Sequence, residues 1–319
     1  MSPSSADVER LVRAHPFHAH RWYGSLGPQV LEALAVAEAQ RVAGAPVAWV
    51  EVDGAIGLLA HTARPDEAAI LGHPVVRCGA LYTDGSDRRV ATAAVARAAL
   101  EAAVDATGGR TLVVLHVDIE DAAALVGAQE AGFRVYETGT IWVAPPDPGR
   151  PHTPPPGLRV EVLGADEVRN LPGTTTGEVI AAAGERFRTS HFHADPAIDA
   201  ARADELYRRW AARTLDGSWS DQVITVWEGA RLVGFAGFAE RTIGTEAGEA
   251  LVMCDAFSLA LADGPRGVGT ALFETGLACF PADLVEYRTQ LRSTYARLFA
   301  RSGRFSSLGG YVTLHGWAP

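Results

Sequence analysis

The sequence contains no lysine, so all 28 of its basic residues are arginine. This absence excludes Schiff-base chemistry, a catalytic lysine amine and the phosphate-binding lysine of a Walker loop. The 38 acidic residues outnumber the basic ones and give a formal net charge of −10. A general nucleic-acid binder normally presents a basic face to the phosphates. We therefore expect no nucleic-acid partner.

Cysteines and long apolar runs are also scarce. The three cysteines, Cys78, Cys254 and Cys279, are widely spaced and odd in number, which excludes a disulfide framework and is typical of reduced thiols in a cytosolic protein. No stretch approaches eighteen uninterrupted apolar residues, and the first ten residues lack the basic and apolar regions of a signal peptide. The expectation is a cytoplasmic protein with no membrane partner.

The 319 residues are more than one hydrophobic core usually accommodates. Near the midpoint, the segment APPDPGRPHTPPPG is too rich in proline to form a helix or a central strand. We therefore predict an N-terminal domain over 1–144, a linker over 145–157 and a C-terminal domain over 158–319.

Strand and helix patterns occur in the same order on both sides of the linker. Each half begins with a hairpin pattern, centred on Asp53-Gly54 and on Glu228-Gly229, and then alternates strands with helices. Aligning Gly132 with Gly303 superimposes a strand, a short helix and a closing glycine. These patterns predict an internal duplication with an α/β (α+β) fold, in which each half is a mixed central sheet flanked by helices.

One junction differs between the halves. The second half has a glycine-rich turn, Gly264 to Gly269, between an apolar strand and a helix, whereas the first half has Asp84-Gly85-Ser86-Asp87-Arg88 there. Glycines that open a helix leave its first N–H groups accessible, which suits a diphosphate. A tight turn without a ligand explains the same glycines, and spacing alone leaves both interpretations open.

The turn resembles the acyl-CoA pyrophosphate loop of the GNAT acetyltransferase superfamily, written R/Q-x-x-G-x-G/A. Arg266, Gly269 and Ala271 match it directly, and a second register places Gly264 at the first position. With the weaker first half included, the chain resembles a tandem GNAT protein. Its second half is similar to the sugar-nucleotide amine N-acyltransferases such as dTDP-fucosamine acetyltransferase, through the segments FRTSHFHADP, ADELYRRWAARTL, LVGFAGF and TLHGW.

The resemblance implies a CoA-dependent N-acyltransferase that moves an acyl group, acetyl in the first instance, to a small-molecule amine. The implied acceptor is an amino sugar of a sugar nucleotide, the co-substrate is acetyl-CoA or another acyl-CoA, and no metal takes part. A homodimer is left open. Two alternatives keep the fold: a decarboxylase of malonyl-type acyl thioesters, and a catalytically silent acyl-CoA-binding module.

Two groups of binding residues follow from the resemblance. The acyl-CoA is expected along one strand, the glycine turn and the helix after the next strand, at Phe257, Leu259, Leu261, Arg266, Gly267, Val268, Gly269, Thr270, Ala271, Ser293 and Arg297. The acceptor is expected beside His191, His193, Arg188, Tyr207 and His315.

Three residues are candidates for proton transfer. Phe299 occupies the position of the tyrosine that acts as general acid in the family that the chain resembles. Tyr295, one helical turn earlier, is therefore the candidate general acid, and packing in the core is the alternative role for it. Asp255 lies within an apolar strand and is the candidate base, unless it faces solvent or pairs with an arginine. His193 is a further candidate to accept the proton of the amine.

Histidines form two clusters that suggest metal ligands. His191, His193 and Asp195 match the beginning of the H-x-H-x-D motif of binuclear hydrolases, but Asp195 followed by proline is typical of a helix cap. The cluster His15, His18 and His20 is expected on the surface or at a domain contact. We expect a metal at neither cluster.

Overall fold

The computed structural model describes residues 3–17, 23, 28–85, 87–149, 153–245 and 248–319. The chain divides into two compact units. Unit 1 is made of Met1–Gly139, Gly244–Glu246 and Gly309–Pro319, and unit 2 is made of Thr140–Ile243 and Ala247–Leu308. Both units contain residues of the strands β5 (Arg134–Ala144), β8 (Arg231–Thr245) and β11 (Ser306–Ala318). The domain bounds predicted from the linker stay a prediction.

Unit 1 alternates helices and strands. Its elements are α1 (Ser5–Ala14), α2 (Pro28–Ala43), β1 (Val47–Val52), β2 (Ala55–Ala63), α3 (Pro65–Leu71), β3 (Val75–Asp84), α4 (Arg88–Thr107), β4 (Thr111–Asp118) and α5 (Ala122–Glu130).

The sheet of unit 1 runs in the order β1-β2-β3-β4-β11 and is mixed, because β3 and β4 are parallel whereas the other paired neighbours are antiparallel. Alternate residues of a strand face opposite sides of a sheet. Accordingly, Leu59 and Val113 pack with α4 and α5, while Leu58 and Tyr82 pack with α1 and α2. Helices thus cover both faces, as the sequence predicts.

Unit 2 repeats this plan with an additional first strand. Its elements are β6 (Leu158–Gly164), α6 (Ala165–Arg169), α7 (Gly173–Arg186), α8 (His191–Ala194), α9 (Ala200–Leu215), β7 (Gln222–Glu228), β8 (Arg231–Thr245), β9 (Gly248–Ala260), α10 (Val268–Cys279), β10 (Leu284–Gln290) and α11 (Thr294–Ser302).

The strand order of unit 2 is β10-β9-β8-β7-β6, again with one parallel pair, β9 and β10. Aromatic side chains dominate its core. Phe238 lies 4.7 Å from Phe280 and 5.4 Å from Tyr287 between ring centroids, close to α10. A second aromatic group lies beneath α7 and α9 and includes Phe187 and Tyr207, whose rings are stacked.

The predicted duplication and the α/β fold are confirmed, but the start of one helix differs from the expectation. At the β1–β2 hairpin, Asp53 and Gly54 both have positive φ, 48° and 75°, as a two-residue turn requires. The helix expected to open at Asp195 instead begins at Ala200, with Asp199 as its N-cap. The reason is that the Asp195 carboxylate accepts the N–H of Ala197, which forms a local turn that competes with helix formation.

Candidate active site

The parallel strands β9 and β10 separate after a short paired stretch. They pair only from Val252–Leu284 to Cys254–Glu286, although the strands continue to Ala260 and Gln290. Strands that stop pairing while both continue leave an opening between them. We call the opening beyond Cys254 and Glu286 the wedge of unit 2.

The glycine turn lies at the end of β9 and opens α10. Gly267 is the N-cap, with φ 96° and ψ −4°, and no side chain caps the first turn. That left-handed conformation favours glycine. Because the helix dipole and uncapped N–H groups point outward at such a terminus, this end of α10 suits an anion. Pro155 bounds it on one side, since a Cβ at Gly267 would lie 2.8 Å from the Pro155 Cγ.

Tyr295, in the first turn of α11, packs against this helix start. A Cβ placed on Gly269 would be 3.2 Å from the ring and 3.8 Å from the hydroxyl oxygen of Tyr295. The hydroxyl is buried and has no hydrogen-bond partner among the described residues. Burial raises the pKa of Tyr295, and the negative charge of Asp255 raises it further. A buried hydroxyl without a partner is available to a ligand.

Asp255 follows the last paired residue of β9 and lies at the apex of the wedge. Its Oδ1 accepts a hydrogen bond of 2.7 Å from the Ser258 hydroxyl, three residues later. A regular strand would place these two side chains on opposite faces, so the backbone here departs from the regular pleat. Burial raises the pKa of Asp255 to about 7, with the nearby charge of Glu286 acting in the same direction. Such a carboxylate can exchange a proton near neutral pH.

The residues around α8 form a hydrogen-bonded loop. Both ring nitrogens of His193 have protein partners, since Nδ1 lies 2.9 Å from the Ser190 hydroxyl and Nε2 lies 2.9 Å from Asp204 Oδ1. Asp204 also pairs with Arg188 at 3.6 Å. With both nitrogens occupied, His193 holds α8 against α9 in this conformation.

An aromatic wall joins this loop to β9. The rings of Phe187 and Tyr207 are stacked at 4.7 Å, and Phe187 lies 5.0 Å from Phe257, two residues beyond Asp255. His191 is buried and its ring packs on Phe192 at 3.9 Å. The predicted acceptor residues His191, His193, Arg188 and Tyr207 are therefore joined by contacts that lead to β9.

No protein-family model matches this sequence, and no curated protein matches it. Solved structures do match. A GCN5-related N-acetyltransferase from Sphaerobacter thermophilus aligns over 99% of this chain and 94% of its own, with a TM-score of 0.58 and 15% identity. A tandem GNAT protein from the clavulanic acid biosynthesis pathway, solved without AcCoA, aligns over 99% of this chain and 97% of its own, with a TM-score of 0.50 and 16% identity. The chain has the GNAT fold.

Within the GNAT fold of unit 2, the predicted acyl-CoA residues fall into two classes. Phe257, Leu259, Leu261, Val268 and Ala271 have buried side chains, so only their backbone can face a ligand. The N–H of Leu261 already donates to the Val233 carbonyl at 2.9 Å. Thr270 is partly buried in the first turn of α10.

The polar members of that set lie nearer to solvent. Arg266 and Arg297 are exposed. Ser293 is the N-cap of α11: its hydroxyl accepts the Ala296 N–H at 3.0 Å and lies 2.8 Å from the Thr289 hydroxyl. Ser293 therefore fixes the start of the helix that carries Tyr295.

His315 belongs to a different unit from the other predicted acceptor residues. It belongs to the part of β11 in unit 1, where it pairs with Val114 of β4 and its ring lies 4.7 Å from that of Tyr136. His15 is also buried in unit 1, and its ring nitrogen Nδ1 accepts the Thr83 N–H at 3.2 Å. The surface alternative is therefore wrong for this histidine, and the domain-contact alternative stays a prediction. His18 and His20 lie outside the described residues.

Neither a metal cluster nor a membrane-spanning helix is found in the described part of the chain. In those residues, no group of three histidine, cysteine or acidic side chains is placed to hold a metal ion. Within the same ranges, no helix combines the length and the apolar character needed to cross a bilayer.

Sequence patterns gave no signal for several residues of the site. Pro155, assigned only to the linker, contacts the start of α10 because the chain folds back on that helix. Asp204, for which the sequence predicts no role, binds His193 and Arg188. Ser258 could have been noticed, because a hydroxyl three residues after a strand carboxylate is a possible partner where the strand is irregular.

Proposed function

We propose that unit 2 is a CoA-dependent N-acyltransferase that transfers an acyl group, acetyl in the first instance, to a small-molecule amine. The observation that carries the proposal is the uncapped start of α10 beside the unpartnered Tyr295 hydroxyl, at the mouth of a wedge whose apex holds Asp255. The shared GNAT fold supports the same reaction class.

The acyl-CoA fits this arrangement as co-substrate. Its diphosphate would be held by the N–H groups of Val268, Gly269 and Thr270, with the guanidinium groups of Arg266 and Arg297 near the phosphates. Its pantetheine arm would run along the wedge edge of β9, from Phe257 toward Leu261. No metal is needed, because direct aminolysis of a thioester requires positioning and proton transfer.

The proposed reaction balances without a further reactant. The amine nitrogen attacks the thioester carbonyl, the C–N bond forms, and the C–S bond breaks with its electron pair leaving on sulfur. Asp255 accepts the proton lost by the nitrogen, and the Tyr295 hydroxyl protonates the thiolate. Tyr295 replaces the family tyrosine lost at Phe299, whose ring is buried among aromatic side chains of the core.

The finer proposal for the acceptor is an amino sugar of a sugar nucleotide. The partly exposed ring of Phe187, which is stacked on the buried ring of Tyr207, would offer an apolar face for a sugar ring, and the next residue, Arg188, is exposed. His191 and His193 shape this wall. His315, which belongs to unit 1, is left as a structural residue.

Isothermal titration with acetyl-CoA tests the proposal. Gly269→Asp adds a carboxylate to the first turn of α10 and should weaken binding by at least roughly tenfold, since a charged hydrogen bond is replaced by repulsion. Gly177→Asp is the matched control: it adds the same charge to exposed α7, where nothing lies within 4 Å. Unchanged affinity in Gly269→Asp would refute the proposed CoA site.

Turnover distinguishes the remaining alternatives. An acyltransferase releases free CoA only when an amine is supplied. Conversion of malonyl-CoA to acetyl-CoA without an amine would instead identify a decarboxylase, and saturable binding with no turnover against a panel of amines would identify a binding module.

A further inference from the structure

The segment from Arg186 to Ser190, which we call the bridging segment, crosses the open end of the wedge. At one end the Phe187 ring contacts Phe257 of β9, with centroids 5.0 Å apart. At the other end the Thr189 hydroxyl donates to Gln290 Oε1 of β10 at 3.0 Å. A ligand that enters the wedge between Phe257 and Gln290 therefore passes this segment.

Two uncompensated positive charges lie at this opening. Arg186 ends α7 and is exposed, and Arg292 precedes α11 and donates to the Thr189 carbonyl. Neither guanidinium forms an ion pair with a carboxylate in the part of the chain that the structure describes. Their neighbour Arg188 is different, because Asp204 balances its charge at 3.6 Å.

The charge of Arg186 reaches the interior of the wedge. It lowers the pKa of Tyr295 against the opposing effects of burial and Asp255. Arg186 also directly precedes Phe187, whose ring contacts Phe257 of β9, so it is attached to the chain beside the open end of the wedge. A positive group beside an acceptor passage selects ligands by charge.

We propose that the acceptor amine carries an anionic group, a phosphate or a carboxylate, which Arg186 and Arg292 bind at the mouth of the wedge. This inference rests on the proposed acyltransferase function for the identity of the site. Guanidinium groups bind either anion through parallel N–H donors.

Charge also excludes other classes of amine. A polyamine or a lysine-rich peptide would bring a second positive group against two guanidinium groups. Asp204, the carboxylate that pairs with Arg188 of this segment, is already bound by His193, Arg188 and Arg208. An amine with an anionic substituent instead places opposite charges together and leaves Asp255 to accept the amine proton.

The test compares acceptors that differ only in the anionic group. D-Glucosamine 6-phosphate is titrated against D-glucosamine, and L-alanine against L-alaninamide, with the full-length protein in the presence and absence of CoA. We expect at least one charged probe to bind at least roughly tenfold more tightly than its neutral counterpart, and high salt to reduce the difference. The pair that shows the difference identifies phosphate or carboxylate.

Variants assign the effect to the two arginines. The double variant Arg186→Gln/Arg292→Gln should lose most of the preference for the charged probe. Arg209→Gln, which removes an exposed arginine from α9, should retain it. Both variants should bind acetyl-CoA with the affinity of the wild-type protein, because Arg186 and Arg292 are assigned to the acceptor.

Three results would overturn the inference. The first is that neither charged probe is preferred at concentrations up to about 1 mM, the upper end of usual KM values. The others are a preference that survives in the double variant and a loss of affinity that falls on acetyl-CoA instead. Failure of the proposed function is a separate observation. It would appear as absent acetyl-CoA binding in the wild-type protein, whereas the probe titrations without CoA still report on the two arginines.

Discussion

The two units build the same pair of parallel strands and end it at equivalent points. In unit 1 the β3–β4 pairing stops at Cys78 and Leu115, and in unit 2 the β9–β10 pairing stops at Cys254 and Glu286. The next residue is Gly79 in unit 1 and Asp255 in unit 2. Both units therefore have the wedge geometry, but only unit 2 places a carboxylate at its apex.

The helix that follows the wedge also begins differently. In unit 1 the Asp87 side chain caps α4 by accepting the Val90 N–H at 3.1 Å, whereas α10 begins at Gly267 with no side-chain cap. A carboxylate at a helix start satisfies its N–H groups and repels a second anion. The start of α4 is closed to a diphosphate for this reason.

Polar side chains complete the closure of unit 1. Arg88 forms an ion pair with buried Asp121 and also donates to the Thr83 hydroxyl at 3.1 Å, and His15 Nε2 lies 3.7 Å from the same Asp121. In unit 2 the corresponding space is lined by Tyr295, whose hydroxyl has no partner in the described residues. We propose that unit 2 keeps its polar groups for a ligand, whereas unit 1 uses the equivalent groups for its own stability. We accordingly propose that unit 1 is a scaffold.

Asp255 gives the largest expected difference between the two wedges. Asp255→Asn should lower kcat by about 10²–10⁴-fold, the usual contribution of a general base. Because the pKa of Asp255 is about 7, wild-type kcat/KM should rise with pH up to that value and then level off, since only the ionised form accepts a proton. Steady-state rates from pH 5 to 9 measure both effects.

Gly79→Asp is the matched control for that variant, because it places the same acid at the equivalent apex of unit 1, where nothing lies within 4 Å of the new Cβ. It should leave the rate and its pH profile unchanged. If Asp255→Asn keeps the rising limb, the base is another group.

Asp255→Asn should lower the rate of turnover, but it should raise the stability of the protein at high pH. The native pKa of Asp255, about 7, lies above its ordinary value of 3.8, so the native state binds more protons than the unfolded state between these values. This carboxyl therefore contributes full stability below pH 3.8 and loses it as the pH rises through 7. Urea unfolding at pH 5 and pH 8 should show Asp255→Asn gaining stability relative to wild type at the higher pH.

The N-caps of the equivalent helices α5 and α11 should differ strongly in their contribution to stability, because the cap of α5 also forms a buried ion pair. Asp121 and Ser293 are the N-caps of α5 and α11. Asp121→Ala should lower the free energy of unfolding by about 3–5 kcal/mol, because it leaves Arg88 without its buried partner. Ser293→Ala removes an ordinary cap and should cost about 1 kcal/mol. Equal losses in chemical denaturation would show that the ion pair in unit 1 contributes little.

Sequence patterns predicted the parts of this comparison that depend on neighbouring residues. The repeated order of strands and helices, the Asp53-Gly54 hairpin and the glycine that opens α10 follow from local periodicity and from backbone conformation. Contacts between distant residues could not be predicted in this way. The packing of Pro155 on Gly267 and the pairing of Arg88 with Asp121 depend on how the chain folds back, which no local pattern encodes.

An acidic N-cap like Asp87 of α4, introduced at Gly267, tests why α10 has no side-chain cap. Gly267→Asp should weaken acetyl-CoA binding by roughly 100-fold, through anion repulsion and through the strain of a side chain at φ 96° beside Pro155. Gly267→Asn imposes the same strain without the charge. Isothermal titration should therefore rank wild type above Gly267→Asn, and that variant above Gly267→Asp by about tenfold. Equal affinities of the two variants would attribute the effect to strain alone.

The smallest expected effect distinguishes two tyrosines of unit 2 whose buried hydroxyls have no partner in the described residues, Tyr295 and Tyr287. Tyr295→Phe should lower kcat by about tenfold. This is less than the usual contribution of a general acid, about 10²–10⁴-fold, because a thiolate is already a fair leaving group. Tyr287→Phe should leave kcat unchanged, because its ring is packed against Phe238 and Phe299 in the core. Steady-state kinetics with saturating acetyl-CoA measures both. A larger loss of kcat in Tyr287→Phe than in Tyr295→Phe would identify Tyr287 of β10, rather than Tyr295 of α11, as the proton donor.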